Sequence, residues 1–343
     1  VPVTSPRPRT ERSPSRLLPR RGRGSEAVEG LGAAWPTSAG LIAGAVLDRL
    51  VPDPRRGHPV ALFGSAAARL EQALYRPSRA RGALFAALSA GAAAGLGVAV
   101  ERAAGPGGRA AATAGAAWAA LGGAMLAREA EAIADALESG DLDEARRRLP
   151  GLCGRDPSVL DEKGIARATV ESVAENTSDA VVGPLVWGAL LGLPGLLGYR
   201  AANTLDAMVG HRSERYDRFG AASARLDDLA NWAPSRLTAL LACAAAPLVG
   251  GDPRRALRIT ARDGDRHPSP NSGRCEAAFA GALDLRLGGT NRYGDRVDHR
   301  PELGEGRHPE AADIRRAVAL ARGVDAGAAA VAAAVAAIPG GRR

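Results

Sequence analysis

The sequence predicts an all-α, polytopic integral membrane protein, with about 4–6 apolar helical segments joined by long polar helical loops. Three observations carry this. Ala83–Val100 and Ala110–Ala127 each run 18 residues without a charge, and Ala180–Gly198 adds 19 more. Runs of roughly this length suffice to cross a bilayer. Their Gly and Ala content favours close helix–helix approach in lipid. Finally, the stretches between them are strongly charged, so a mean hydropathy of -0.10 and a net charge of +8 over 343 residues average unlike parts.

Taken in order, residues 1–33 are rich in Pro, Arg, Gly and Ser, with seven Arg against three Glu and no apolar period. Such a segment cannot bury enough surface to offset its ordering entropy, which predicts a disordered basic arm over 1–35. It lacks the apolar core of a secretory signal. Four of the eight net charges fall in this arm and two more at Arg342 and Arg343. The body is therefore nearly balanced, and with 3% aromatics it offers no stacking platform, so nucleic acid is not an expected partner.

The rest, 36–340, reads as one membrane-embedded domain. Weaker apolar runs are Pro36–Val51, interrupted by Asp48 and Arg49, then Leu237–Gly250 and Val324–Ile338. Polar segments occupy 128–179, 199–236 and 251–323. In the first, Arg128–Arg148 reads as a helical hairpin broken at Gly140-Asp141, with Asp141 as N-cap. The run 180–198 carries Pro184 and Gly192-Leu193-Pro194-Gly195, which break a straight helix. Broken backbone survives at membrane depth only where protein or water satisfies it, which predicts a kinked or re-entrant element. A single crossing would put the polar blocks on either side of it at opposite membrane faces, so a shared site requires it to turn back.

Residues suited to chemistry concentrate between Arg167 and Arg236. Glu171, Glu175 and Asp179 recur at i, i+4, i+8 and share one helix face. They repel one another unless a cation sits there, and Mg²⁺ carrying a nucleotide phosphate suits them. A solvated helix face is the alternative, weakened by the adjoining apolar run, where charges tend to be functional. Arg200, Arg212, Arg215 and Arg225 offer forked contacts to phosphate or carboxylate, beside Asn203, Asp206 and Glu214. His211 is a proton acceptor near neutral pH or a structural hydrogen-bonder. Asp227-Asp228, followed by Asn231, suits a metal, an amine or ion pairs with neighbouring arginines. No G-x-x-x-x-G-K-[ST], H-E-x-x-H or C-x-x-C occurs, and Cys153, Cys243 and Cys275 lie far apart, so neither a Walker site nor a zinc site is expected.

ESVAENTSDAVVGPLVW, YRAANTLDAMVGHRSERYDRFG and SARLDDLANWAPSRLTA resemble the adenosylcobinamide-phosphate synthase family of cobalamin biosynthesis (the CobD/CbiB family). The likeness continues in LIAGAVLDRLVPDPRRGHPV upstream and DGDRHPSPNSGRCEAAFAGALDLRLGG downstream, covering about residues 38–305. Gly273-Arg274-Cys275 departs from the family's usual Gly-Trp, and Asp179-Ala180 from Asp-Gly. The resemblance implies a multi-pass protein of the cytoplasmic membrane with its site facing the cytoplasm. The implied reaction is ATP-driven amide formation between a side-chain carboxylate of (adenosyl)cobyric acid and aminopropanol or its O-phosphate. It implies ATP and Mg²⁺ as cofactors, the corrinoid as substrate, membrane lipid as surroundings and a possible homo-oligomer. On that reading Glu171, Glu175 and Asp179 serve metal and nucleotide, and Asp206, His211, Asp227 and Asp228 handle the amine catalytically. Arg200, Arg212 and Arg215, with Asn203, Glu214, Arg225, Asn231 and Asn271, bind substrate and phosphate. A small-residue helical transporter and a non-catalytic membrane scaffold are the competing readings. The first gives no reason for polar stretches so dense in Glu, Asp, Asn and Arg, and the second would survive Asp206→Ala or His211→Ala, which an enzyme would not.

Overall fold

A computed structural model describes residues 23–52, 54, 57–211, 213–293 and 296–338. Five helical stretches are long and apolar enough to span a membrane: Arg79–Ala103, Pro106–Glu138, Glu162–Gly210, Trp232–Val249 and Ala311–Ala336. The chain is an all-α polytopic membrane protein, as its uncharged runs predict.

Helix α1 (Arg23–Leu50) starts inside the segment read from the sequence as an arm; the rest of that expectation, residues 1–22, lies outside the described residues. Helices α2 (Pro59–Leu74), α3 (Arg79–Ala103) and α4 (Pro106–Ala120) follow. Gly40 and Gly44 of α1 lie against α4, where a Cβ on either would come within 2.8 Å of the carbonyl oxygens of Ala110 and Ala114 respectively. This is the small-xxx-small seam that lets helices approach closely in lipid. The uncharged run Ala110–Ala127 is not one helix. It breaks between α4 and α5 (Gly123–Glu138), where Gly122 N donates to Ala180 O at 3.1 Å. As expected, Asp141 caps the next helix, α6 (Leu142–Arg148), through Glu144 N at 2.9 Å.

Helix α7 (Glu162–Thr177) runs through a π-helical turn, Ser178–Val182, into α8 (Gly183–Leu205). Within α8, Gly192 adopts φ 68° and ψ -149°, a conformation essentially reserved for glycine, and the helix reverses there. The reversal is visible in side-to-side packing. Added Cβ atoms would strike Tyr199 from Gly183 and the Trp187 carbonyl from Gly195, and one on Gly188 would lie 3.2 Å from Leu196 Cδ1. Residue pairs centred on Leu191 or Gly192 are therefore neighbours, so the run is an antiparallel helical hairpin. Pro194 falls in the first turn of the returning limb, where its missing N–H costs nothing. Glu101 of α3 accepts from Leu193 N at 2.9 Å and caps that limb. Leu190 and Leu191 at the tip are exposed, as lipid-facing side chains are.

A second π-helical turn, Asp206–Gly210, closes the returning limb, followed by α9 (Ala221–Ala230), α10 (Trp232–Ala245), α11 (Pro253–Asp263) and α12 (Ser272–Leu283). An antiparallel hairpin, β1 (Leu287–Tyr293) and β2 (Arg296–Leu303), interrupts the polar segment read as helical loops. Gly288 has φ 86° at a bulge where a Cβ would press on the Pro301 carbonyl. Helix α13 (Ala311–Ala336) opens on a capping box formed by Glu310 and Asp313. One core, including Ile133, Val170, Leu185, Phe279 and Leu320, runs through α5, α7, α8, α12 and α13. A smaller aromatic cluster joins Phe85, Leu205, Val209 and Phe219, with Tyr75 packed against it.

Candidate functional site

The helical hairpin sets the site by bringing its two ends together. From the outgoing side come Glu171, Glu175, Asn176 and Asp179; from the returning side come Arg200, Asn203 and Asp206. Both ends are π-helical turns, which recur at functional positions because one inserted residue re-aims the side chains around it. With Arg155 and Arg300, these residues line a cleft of about 380 Å³.

Polar bonds fix its walls. Tyr199 Oη, inside the hairpin, lies 2.6 Å from Asn231 Oδ1 and 3.1 Å from the Asp179 carbonyl. Asp227 accepts from Asn203 Nδ2 at 3.2 Å and from Asn231 Nδ2 at 3.0 Å. Burial raises the Asp227 pKa to about 6, against those two amide bonds and helped by the charges of Asp228 and Glu175. Glu175 accepts from Ser272 Oγ at 2.6 Å, tying α7 to α12. Arg200 Nη1 donates to Asn203 Oδ1 at 3.3 Å.

Glu171 differs from its two helix-face partners. Its carboxylate pairs with Arg155, both side chains at most 5% exposed, and accepts from Gly288 N at 2.6 Å. Arg167 donates to the carbonyls of Gly288 and Thr290. Glu171 and Arg167 thus anchor the β-hairpin that carries Arg300 to the cleft. Glu171, expected from the sequence to serve a metal, has both its oxygens in contact here, with Arg155 and with Gly288 N, and it also lines the cleft. Among the described residues no group of three or more His, Cys, Asp and Glu is spaced to hold a metal ion.

The remaining sequence-predicted residues divide. Asn271 is buried and holds α9 to α10, donating to the Asp228 carbonyl at 2.8 Å and accepting from Ser235 Oγ at 3.1 Å. Asn231 is likewise a buried brace. Arg215 is not in the cleft: it pairs with Glu71 of α2 at 2.9 Å and stacks over Tyr75 at 4.2 Å. His211 is exposed, edge-on to Tyr216 at 5.1 Å, and does not line the cleft. Glu214 and Arg225 are exposed and do not line it either. Arg212 lies outside the described residues.

Sequence reasoning missed Arg155, Arg300 and, behind Arg300, Glu276. Nothing in a chain with 45 basic residues marks these two arginines. Glu276 carried a signal, a lone acid in the otherwise small and apolar run Cys275–Leu283, but it stood outside the dense polar blocks.

A polytopic helical membrane protein in which a helical hairpin closes an acidic, arginine-edged cleft is the class that fold and site define. The family model described as CobD/Cbib protein matches residues 41–321. The chain belongs to this family, which is one of cobalamin biosynthesis. It is 57% identical over 301 residues to the cobalamin biosynthesis protein CobD of Mycobacterium tuberculosis, covering 88% of this chain and 96% of that one. Identity to the CobD proteins of Rhodobacter capsulatus and Geobacter metallireducens is 45% in each case. Those matches cover 80% of this chain, with 87% and 89% of the relatives. No solved structure matches.

Proposed function

We propose that the cleft joins aminopropanol or its O-phosphate to a side-chain carboxylate of (adenosyl)cobyric acid by ATP-driven amide formation. The observation that carries this is the convergence of Glu175, Asp179 and Asp206 with Arg155, Arg200 and Arg300 around one cleft, with Asp227 bonded to its Asn203 wall. A ligase of this kind must hold phosphate, a carboxylate and an amine together, and these residues supply both signs of charge for that.

The donor set fits Mg²⁺ brought in with nucleotide. Mg²⁺ typically takes one or two protein carboxylates plus substrate phosphates, so a preformed cage of three ligands is not required. Glu175 and Asp179 are the carboxylates placed to meet it. When bound, ATP would supply the phosphoryl group that turns the corrinoid carboxylate oxygen into a leaving group. Arg200 and Arg155 offer planar donors to anionic oxygen, whether phosphate or carboxylate. Asp206 lines the same cleft and Asp227 backs it through Asn203, so an ammonium is attracted there and then loses a proton to a carboxylate before attack. The site faces the cytoplasm at the inner membrane, where nucleotide is present.

Purified protein given the corrinoid acid, aminopropanol phosphate and Mg-ATP should consume ATP only when all substrates are present and release an amide. Asp206→Asn should lower that rate by about 10²–10⁴-fold if its carboxylate moves the proton. Unchanged turnover in Asp206→Asn would remove the carboxylate from the chemistry.

A further inference from the structure

Away from the cleft, charge ends at one level on two packed helices, and a pocket opens there. Residues 35–47 of α1 and 326–336 of α13 carry no charge, and Ser38 Oγ donates to the Ala333 carbonyl at 3.0 Å between them. Asp48 and Arg49 follow the first run, and Asp325 precedes the second. Trp118 Nε1 donates to the Val51 carbonyl at 3.2 Å, at the boundary between hydrocarbon and water that tryptophan prefers. Beyond this level α13 meets α5 through ion pairs, Arg322 with Glu131 at 2.8 Å and Arg315 with Glu138 at 2.9 Å. The level is therefore that of lipid headgroups. It lies on the same side as the cleft, since Gly122 N bonds to the Ala180 carbonyl beside Asp179.

Two carboxylates converge on Gly123, the first residue of α5. A Cβ there would lie 3.1 Å from Asp325 Oδ2 and 3.4 Å from Asp48 Oδ2. Asp48 Oδ2 accepts from Ala124 N at 3.1 Å. Asp325 Oδ1 is buried and, among the described residues, has no hydrogen-bond partner. Both acids share a pocket of about 250 Å³ with Arg49, Arg128 and Arg322. Cations and carboxylates side by side match a ligand bearing both a phosphate and an ammonium. The pocket continues into an apolar groove of about 130 Å³ lined by Ile42, Val46, Val181, Leu185, Ala326 and Ala329. On α1, α8 and α13 alike these positions lead from the charged level into the uncharged runs, hence into hydrocarbon.

We propose that this pocket binds the headgroup of an amine-bearing phospholipid, phosphatidylethanolamine, with an acyl chain in the groove. The arginines donate to its phosphate, and Asp48 and Asp325 accept from its ammonium. The groove favours a lipid over a soluble amino phosphate of the same headgroup chemistry. Val181 in the groove and Asp179 in the cleft belong to one π-helical turn, so the bound lipid braces the turn that carries Asp179.

The test is native mass spectrometry of the delipidated full-length protein in detergent. The titrants are phosphatidylethanolamine, phosphatidylcholine and phosphatidylglycerol with equal acyl chains, and soluble O-phosphoethanolamine. Phosphatidylethanolamine should bind about 10-fold or more tighter than the other two lipids, because choline has no N–H to donate and the glycerol headgroup has no cation. O-Phosphoethanolamine should bind about 100-fold or more weakly than the lipid, having no chain to bury. Asp325→Asn should erase the preference for the amine without weakening phosphatidylglycerol. Arg128→Gln should weaken all three lipids about threefold or more, and Ala326→Phe, which fills the groove, should do the same. Arg128 and Ala326 are exposed, so these two variants carry the test should Asp325→Asn fail to fold. Phosphatidylglycerol bound as tightly as phosphatidylethanolamine by wild type overturns the inference. So does phosphatidylethanolamine binding within about twofold of wild type in Arg128→Gln or Asp325→Asn. O-Phosphoethanolamine bound as tightly as the lipid would assign the pocket to a soluble ligand and likewise overturn it.

Discussion

Replacing Gly192 with alanine tests the reversal on which the cleft depends. Gly192 holds φ 68° and ψ -149°, which costs an L-residue about 1–3 kcal/mol. The new methyl would also fall on Glu101 Oε1, the atom that accepts from Leu193 N at 2.9 Å. Displacing that carboxylate forfeits a charge-assisted bond of about 1.5–3 kcal/mol. Together the loss is about 2.5–6 kcal/mol, a large part of the ~5–15 kcal/mol that holds a typical protein folded. Gly198→Ala is the control. It lies in the returning limb, where a Cβ would sit 3.4 Å from Ala94 Cβ, an ordinary contact, so a better helix former there should be neutral or slightly stabilising. Glu101→Gln should fall between them, since the amide still accepts. Chemical denaturation in detergent micelles gives the three stabilities, and amide synthesis by the same preparations reports whether the cleft assembles. If Gly192→Ala matched Gly198→Ala in stability, the sharp turn at Gly192 would be wrong.

Other outcomes follow from the same contacts. Glu171→Gln breaks the buried ion pair with Arg155 and should cost about 3–5 kcal/mol in denaturation, more than a cleft residue that only binds ligand. Asp227, with its pKa raised to about 6, is ionised above that value and protonated below it. Amine binding should therefore rise about tenfold per pH unit up to pH 6 and level off above, and Asp227→Asn should abolish the inflection. An inflection that persists in Asp227→Asn assigns it to another group. Arg200→Ala should raise the KM of a phosphate- or carboxylate-bearing substrate about tenfold or more. Arg215→Ala should leave KM and kcat unchanged and barely move the denaturation midpoint, because its ion pair is half exposed. Steady-state kinetics separate the two arginines.

The reversal was legible because Gly and Pro interrupt an uncharged run, and the sequence between Glu171 and Asn231 holds most of the cleft. Local spacing could not show which of several arginines point inward. Arg215 looks like a phosphate ligand until Glu71 and Tyr75, from a helix some 140 residues earlier, claim it. His211 sits in the densest motif yet beside Tyr216 at the surface. The β-hairpin was hidden because its strands are short, polar and glycine-bearing, without the period-two pattern of a half-buried strand. Arg300 was hidden with it, since only strand pairing and the Arg167 and Glu171 anchors bring it to the cleft. Glu171 keeps its place on the helix face, but its pairing with Arg155 was hidden, because Arg155 arrives from a loop that no spacing rule connects to α7.

The central claim is that 180–198 turns back, so that Asp179 and Asp206 meet on one face of the membrane. Single cysteines at these two positions, in a chain lacking Cys153, Cys243 and Cys275, can be labelled with a membrane-impermeant thiol reagent in vesicles of known orientation. Both should be modified from the same side, the cytoplasmic one, and both should be protected by Mg-ATP with the corrinoid acid. Labelling from opposite faces would contradict the hairpin and dissolve the site.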